Sequence, residues 1–304
     1  MSSEPATNET EWTIGRLVSW TTDYFSEHGV DDPRLSCEVL LAHALRCRRI
    51  DLYTRFDQVL DQQLRKKFRE LVKRAAAHEP IAYLVGEKEF FSLPLTVTRD
   101  VLIPRSETET LVECVIDHCS KAGLTQPRLL DLGTGSGCIA IAVLKHIGGA
   151  SVVATDVSKE ALEVARINAE RHGVLDRMTL VEADCLALPE EVEPEGGFDV
   201  LMSNPPYVAP DEMERLDVTV RCFEPRAALT DEKDGLSFYR SIAADGPGLL
   251  AGGGVVIVEV ADGQGRAVKE LLEASGRFAH RGTKRDRVVG QERVFVFSFS
   301  SSPH

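Results

Sequence analysis

The stretch from Arg128 to Leu144 narrows most what this chain can fold into. Arg128-Leu129-Leu130-Asp131-Leu132 reads as a short apolar strand, runs directly into Gly133-Thr134-Gly135-Ser136-Gly137, and continues as a helix through Cys138-Ile139-Ala140-Ile141-Ala142-Val143-Leu144. A glycine-rich turn between strand and helix lets a ligand approach the backbone closely and meet the N–H groups at the helix start. The spacing is G-x-G-x-G rather than the G-x-G-x-x-G of dinucleotide folds, which disfavours a nicotinamide or flavin site. From Thr108 onward strand and helix patterns alternate, predicting an α/β domain built on a doubly wound, mainly parallel sheet.

Two acids fall in register with that turn. The strand Ser151-Val152-Val153-Ala154-Thr155 ends in Asp156, about twenty residues beyond the glycines, where a ribose diol is usually held. The strand Met178-Thr179-Leu180-Val181-Glu182 is followed by Asp184, which places a second carboxylate beside the same crevice, suited to an adenine amino group. Either acid alone reads as a surface group or a helix cap. Together, at successive strand ends, they read as ligand contacts.

Downstream, the apolar run Phe198-Asp199-Val200-Leu201-Met202 passes through Ser203 into Asn204-Pro205-Pro206-Tyr207. Each proline fixes its own φ and lacks an N–H, and each restricts the residue before it, so Asn204 and Pro205 are both predicted to be extended. An amide or amino group entering there can donate its hydrogens to the Asn204 side-chain oxygen and the Pro205 carbonyl, leaving the nitrogen lone pair free. The bland alternative is a strand stopped by a Pro-Pro turn.

Asp131-Leu132-Gly133-Thr134-Gly135-Ser136-Gly137, Asp156, Asp184 and Asn204-Pro205-Pro206-Tyr207 together resemble an S-adenosylmethionine-dependent methyltransferase of the Rossmann-like class I. Val101-Leu102-Ile103-Pro104-Arg105-Ser106-Glu107-Thr108-Glu109, Phe223-Glu224-Pro225-Arg226-Ala227-Ala228-Leu229, Asp234-Gly235-Leu236 and Arg285-Asp286-Arg287-Val288-Val289 look like the signature of the bacterial peptide chain release factor glutamine methyltransferase family. The likeness runs from about Thr13 to Phe299. It implies a seven-stranded sheet closed by an antiparallel strand at Val294-Phe295-Val296-Phe297. It also implies S-adenosylmethionine as methyl donor, with S-adenosylhomocysteine as product and no metal. Gly133 to Gly137, Asp156, Asp184, Cys185 and Asn204 then bind the cofactor, while Asn204, Pro205, Pro206 and Tyr207 hold the acceptor, Tyr207 as a pocket wall. Two positions depart from the family: Ser106 stands where proline is usual, and Ala261 where glycine is usual. Ser106 with Glu109 makes an S-x-x-E pattern, so a capping box is expected to start the helix there.

At 304 residues the chain suits about two domains. No stretch approaches the ~20 apolar residues of a membrane span, and Met1 to Glu11 carries neither a basic region nor an apolar segment to mark a signal peptide. Seven cysteines, with no C-x-x-C spacing, suggest free thiols in a reducing cytoplasm. Cys138 and Cys185 border the crevice and read as packing residues. Residues 1–85 carry 12 Lys plus Arg and 13 Asp plus Glu, which leaves −12 of the net −13 on the remainder. A domain that acidic is a poor match for duplex DNA, whose affinity for proteins comes from Lys and Arg displacing counterions.

The first 85 residues read as a helical bundle with no catalytic constellation, hence a substrate-docking domain. Ile14, Leu17, Val18, Tyr24 and Phe25 form one stripe, ended by Gly29; Asp32 is expected to cap a second helix that has Pro33 first and buries Leu35, Val39, Leu40 and Leu45. Leu60, Leu64, Phe68, Leu71 and Val72 form a third stripe on a helix from Asp61 to His78. That helix also carries the basic run Arg65-Lys66-Lys67 with Arg69, Lys73 and Arg74, either a solvated face or a contact for an acidic partner or RNA. Residues 86–105 are expected to form a β-hairpin linker around Phe90-Phe91-Ser92-Leu93-Pro94-Leu95-Thr96-Val97, and residues 106–304 the methyltransferase domain.

The family's substrate is the glutamine of the Gly-Gly-Gln motif in class-1 peptide chain release factors, so the resemblance implies that partner and no membrane or direct DNA binding. Three other readings stay open. An adenine-specific nucleic-acid methyltransferase uses the same grip on a flipped base; a ribosomal-protein glutamine methyltransferase shares the motifs; a non-catalytic sensor would bind the cofactor alone.

Overall fold

The computed structural model describes residues 11–300, so most of the polar amino-terminal stretch read above lies outside it. The chain divides into two compact units, the boundary falling between Gly86 and Glu87.

The first unit is helical: α1 (Ile14–Glu27), α2 (Pro33–Leu45), α3 (Arg49–Thr54), α4 (Gln62–Ala76) and α5 (Ile81–Val85). Ile14, Phe25, Leu40, Leu41, Phe68 and Val72 are buried in its core. Thr13 caps α1 by accepting from the Arg16 N–H (3.3 Å), and Asp61 caps α4 by accepting from the Leu64 N–H (2.8 Å). Asp32 does not cap α2. It sits in the left-handed region (φ 44) with no side-chain cap bond, and the Ser36 hydroxyl instead donates back to the Asp31 carbonyl (2.7 Å). Leu35 is 42% exposed, so the buried face of α2 is also turned from the one expected. That face holds Ser36, Cys37 and Glu38 because Glu38 is satisfied there, accepting from the Tyr53 hydroxyl (2.6 Å) and Arg34 (3.0 Å).

The second unit opens with a hairpin, β1 (Glu87–Phe90) and β2 (Leu93–Thr96). The strands flank Phe91 and Ser92 rather than running through them, because both take left-handed backbone (φ 51 and 60) in the connecting turn. What holds that turn is Glu109, whose carboxylate accepts from the Phe91 N–H (2.8 Å). Glu109 is therefore unavailable for a capping box. Ser106 opens a 3₁₀ turn, Ser106–Thr108, without a side-chain cap.

The remaining elements are α6 (Glu109–Lys121), β3 (Arg128–Leu132), α7 (Cys138–His146), β4 (Ser151–Asp156), α8 (Lys159–Arg171), β5 (Met178–Glu182), β6 (Phe198–Ser203), α9 (Val218–Phe223), α10 (Ser237–Leu249), β7 (Leu250–Glu259), α11 (Gly265–Ala274), β8 (Phe278–Arg285) and β9 (Glu292–Phe299). They build a seven-stranded sheet ordered β5-β4-β3-β6-β7-β9-β8, in which β9 slots between β7 and the edge strand β8, antiparallel to both. Successive residues point to opposite faces. Leu129, Val200 and Ile257 pack with α6 and α7 on one side, while Leu130, Leu201 and Val256 pack with α10 and α11 on the other.

Strand register sets the site. Leu132 pairs with Thr155 and with Ser203, and Ser203 pairs with Val258. The next residue on each strand therefore reaches one carboxyl edge: Gly133, Asp156, Asn204 and Glu259. Strand order reverses at β3, the place where open α/β sheets bind ligands.

Candidate active site

A crevice of about 690 Å³ lies along that edge, lined among others by Gly133, Gly135, Asp156, Asp184, Cys185, Asn204 and Pro206. Gly133 and Gly135 present bare backbone, with no atom within 4 Å of where a Cβ would stand. Thr134 and Ser136, also in the turn, face inward and are buried. The Thr134 hydroxyl donates to Asp131 (2.7 Å), a fully buried acid whose carboxyl burial pushes up to about 7. Gly137 starts α7 against Ala165 of α8. Asn168 of α8, also fully buried, ties the turn to the hairpin. Its amide donates to the Ser136 carbonyl (2.9 Å) and the Thr96 carbonyl (2.9 Å), and its oxygen accepts from the Thr96 N–H (2.7 Å).

Asp156 accepts from the Gly135 N–H (2.9 Å) and the Ser158 N–H (3.0 Å), so it shapes the glycine turn as well as lining the crevice. Burial raises its pKa, against those N–H contacts. Asp184 is exposed, just beyond β5, and Cys185 follows it in left-handed backbone (φ 52) with its thiol raised by burial. Burial pushes the Cys138 thiol up to about 12.

Asn204 and Pro206 line the crevice, whereas Pro205 is buried behind them. Tyr207 turns its hydroxyl toward Glu259 (3.4 Å), and its carbonyl accepts from the Gln264 side chain (2.9 Å). Gly235 packs so closely on that carbonyl that a Cβ would lie 2.1 Å from the oxygen. Asn204 donates through Nδ2 to the Thr108 hydroxyl (3.2 Å), and Thr108 donates to Glu259 (2.7 Å). Glu259 is 1% exposed, and burial pushes its carboxyl up to about 7. Burial also raises the Tyr207 phenol, which stays protonated. Thr108, Glu259 and Gln264 have no role assigned from the sequence, although Thr108 lies in the signature stretch Val101 to Glu109 and Glu259 is an acid closing the apolar run Val255 to Val258.

The far wall comes from loops. Glu224, buried, accepts from the Ile103 N–H (3.1 Å) and from Arg105 (2.5 Å), joining two segments that are remote in sequence. Asp231 gathers the N–H groups of Lys233, Gly235 and Ser237, each at 2.9 Å. At the usually-glycine position Ala261, no left-handed backbone is needed; the loop places Gly263 there instead (φ 78). Among the described residues no cluster of His, Cys, Asp or Glu could hold a metal, and no helix is long and apolar enough to cross a membrane.

A mainly parallel sheet that reverses order at β3 and opens its carboxyl edge onto a bare glycine turn is the architecture of Rossmann-like class I methyltransferases. A methyltransferase from Pyrococcus furiosus shares that fold, with a TM-score of 0.51 and 21% identity over 78% of this chain and 98% of its own. Residues 16–86 match the PrmC N-terminal domain and residues 106–233 the Methyltransferase small domain. The release factor glutamine methyltransferase of Rhodopirellula baltica is 42% identical, over 94% of this chain and 96% of its own; that of Chlorobaculum tepidum is 41% identical, over 88% and 92%. The chain is an enzyme of the release factor glutamine methyltransferase family.

Proposed function

We propose that this chain methylates the side-chain amide nitrogen of the glutamine in the Gly-Gly-Gln motif of class-1 release factors, in the cytoplasm, using S-adenosyl-L-methionine and releasing S-adenosylhomocysteine. The observation that carries the reading is Asn204, set at the carboxyl end of β6 and lining the same crevice as the glycine turn. The donor set suits the cofactor: bare backbone at Gly133 and Gly135, and carboxylates at Asp156 and Asp184 for hydroxyl and amino groups. When bound, the cofactor supplies a methyl group already activated on a sulfonium.

The protein's task is then to hold a feeble nucleophile, since a carboxamide lone pair is delocalised into its carbonyl. The Asn204 oxygen and the Pro205 carbonyl accept the two amide N–H groups, which fixes the acceptor's orientation and favours rehybridisation at nitrogen. Positioning of this kind can supply roughly 7–11 kcal/mol of barrier reduction. No general base is assigned, because the methylated nitrogen can lose its proton after transfer. The amino-terminal helical unit, residues 1–85, is the docking domain for the protein substrate, and residues 106–304 carry the chemistry.

Incubation of the full chain with labelled methyl donor and, separately, a class-1 release factor, ribosomal protein and DNA tests the reading by mass spectrometry. Label on the release-factor glutamine is expected. Label on DNA but on neither protein overturns it.

A further inference from the structure

We propose that Thr108 and Glu259 are positioning residues that decide which end of the Asn204 carboxamide faces the crevice. The proposal rests on the acceptor role assigned to Asn204 above. Two donors run in series from the crevice into the core: Asn204 Nδ2 to Thr108 Oγ1 (3.2 Å), then Thr108 Oγ1 to Glu259 Oε2 (2.7 Å); separately, the Tyr239 hydroxyl donates to the Glu259 backbone carbonyl (2.7 Å) and holds that residue in place. Thr108 is 2% exposed and Glu259 1%, so solvent is no substitute for either partner.

The direction follows from the inventory of protons. Glu259 Oε2 accepts as a carboxylate, and also in the protonated form that carries its hydrogen on Oε1 beside Tyr207, while a hydroxyl has a single hydrogen to give. Once Thr108 gives its hydrogen to Glu259, its lone pairs are what Asn204 meets, and only the NH₂ end of the amide fits there. The Asn204 oxygen is left for the crevice. Turning the amide over would require Thr108 to donate to it and would strip Glu259 of a buried partner. It would also set an NH₂ against the N–H groups of an incoming amide. Glu259 thus fixes the polarity of a contact that it does not itself make.

The test uses the full chain, a full-length class-1 release factor and labelled methyl donor. Thr108→Val keeps the shape and deletes the hydroxyl; it should lower kcat about 10- to 100-fold while binding of S-adenosylhomocysteine stays within about twofold. Thr108→Ser should recover the rate to within about threefold of the parent, and Thr108→Val in an Asn204→Ala background should cost nothing further. Glu259→Leu, which removes the acceptor of the Thr108 hydrogen and leaves that hydroxyl free to donate to Asn204, should follow Thr108→Val and serves if that variant does not fold. Parental turnover in both Thr108→Val and Glu259→Leu, or a Thr108→Ser variant as slow as Thr108→Val, overturns the proposal. A double variant whose loss is the product of the singles does so too. An inactive Asn204→Ala beside an active Thr108→Val removes only the positioning role, whereas an active Asn204→Ala removes the acceptor reading itself.

Discussion

Asn204 lines the crevice and Asn168 is buried behind its glycine turn, so substitution of the two asparagines should affect different quantities. Asn204→Ala removes one preorganised acceptor and should cost about 10²–10³ in turnover. Radiolabel transfer to the release factor measures this, with circular dichroism confirming the fold. Asn168→Ala strands the Thr96 N–H and the Thr96 and Ser136 carbonyls in a buried site. It should cost about 3 kcal/mol in denaturant unfolding and weaken S-adenosylhomocysteine binding, because the glycine turn loses its tie. Asp131 and Glu259 set a pH trend of their own, both pushed up to about 7 by burial. Between the ordinary carboxylate range and about pH 7 the folded chain holds more protons than the unfolded one. Stability therefore falls as pH rises across that window, by up to about 4 kcal/mol for Asp131 and about 3 kcal/mol for Glu259, and stays low above it. Glu259→Gln should show a shallower fall in unfolding free energy between pH 5 and pH 8. The glycine turn and Asn204 were legible because their signals are contiguous. Thr108 and Glu259 were not, since the bond that gives them meaning spans 151 positions.

At the scale of elements, strands and helices were legible from apolar period, but their ends were not. Asp32 and Ser106 both carry capping side chains by type. Neither caps, because Ser36 closes one turn from within and Glu109 is drawn to the hairpin. Leu35 was misassigned for a related reason: a period of apolar residues cannot reveal that Glu38 is satisfied inside. Between β6 and α10 the chain has only short helical turns, and Glu224 pins it to Ile103 and Arg105. Glu224→Ala should free that segment to open locally. Limited trypsin digestion should then cut at Arg215 and Arg221 faster than in the parent, before the sheet unfolds; equal cutting rates would count against the pin.

Over the whole molecule, every residue that lines the crevice belongs to the second unit. A chain starting at Glu87 should therefore still bind S-adenosylhomocysteine, by calorimetry, while losing release-factor methylation if the amino-terminal unit docks the substrate. The sheet's class followed from alternating strand and helix patterns, whereas the insertion of β9 between β7 and β8 did not. Chain order says nothing of which edge a returning strand takes. Gly235 has a use beyond this protein. An Asn-Pro-Pro-Tyr tetrapeptide marks many short stretches of sequence by chance, but the tyrosine carbonyl leaves no room for a side chain on the loop that covers it. Glycine at the covering position is thus a second, distant character to demand before an unfamiliar chain with that tetrapeptide is assigned the same pocket.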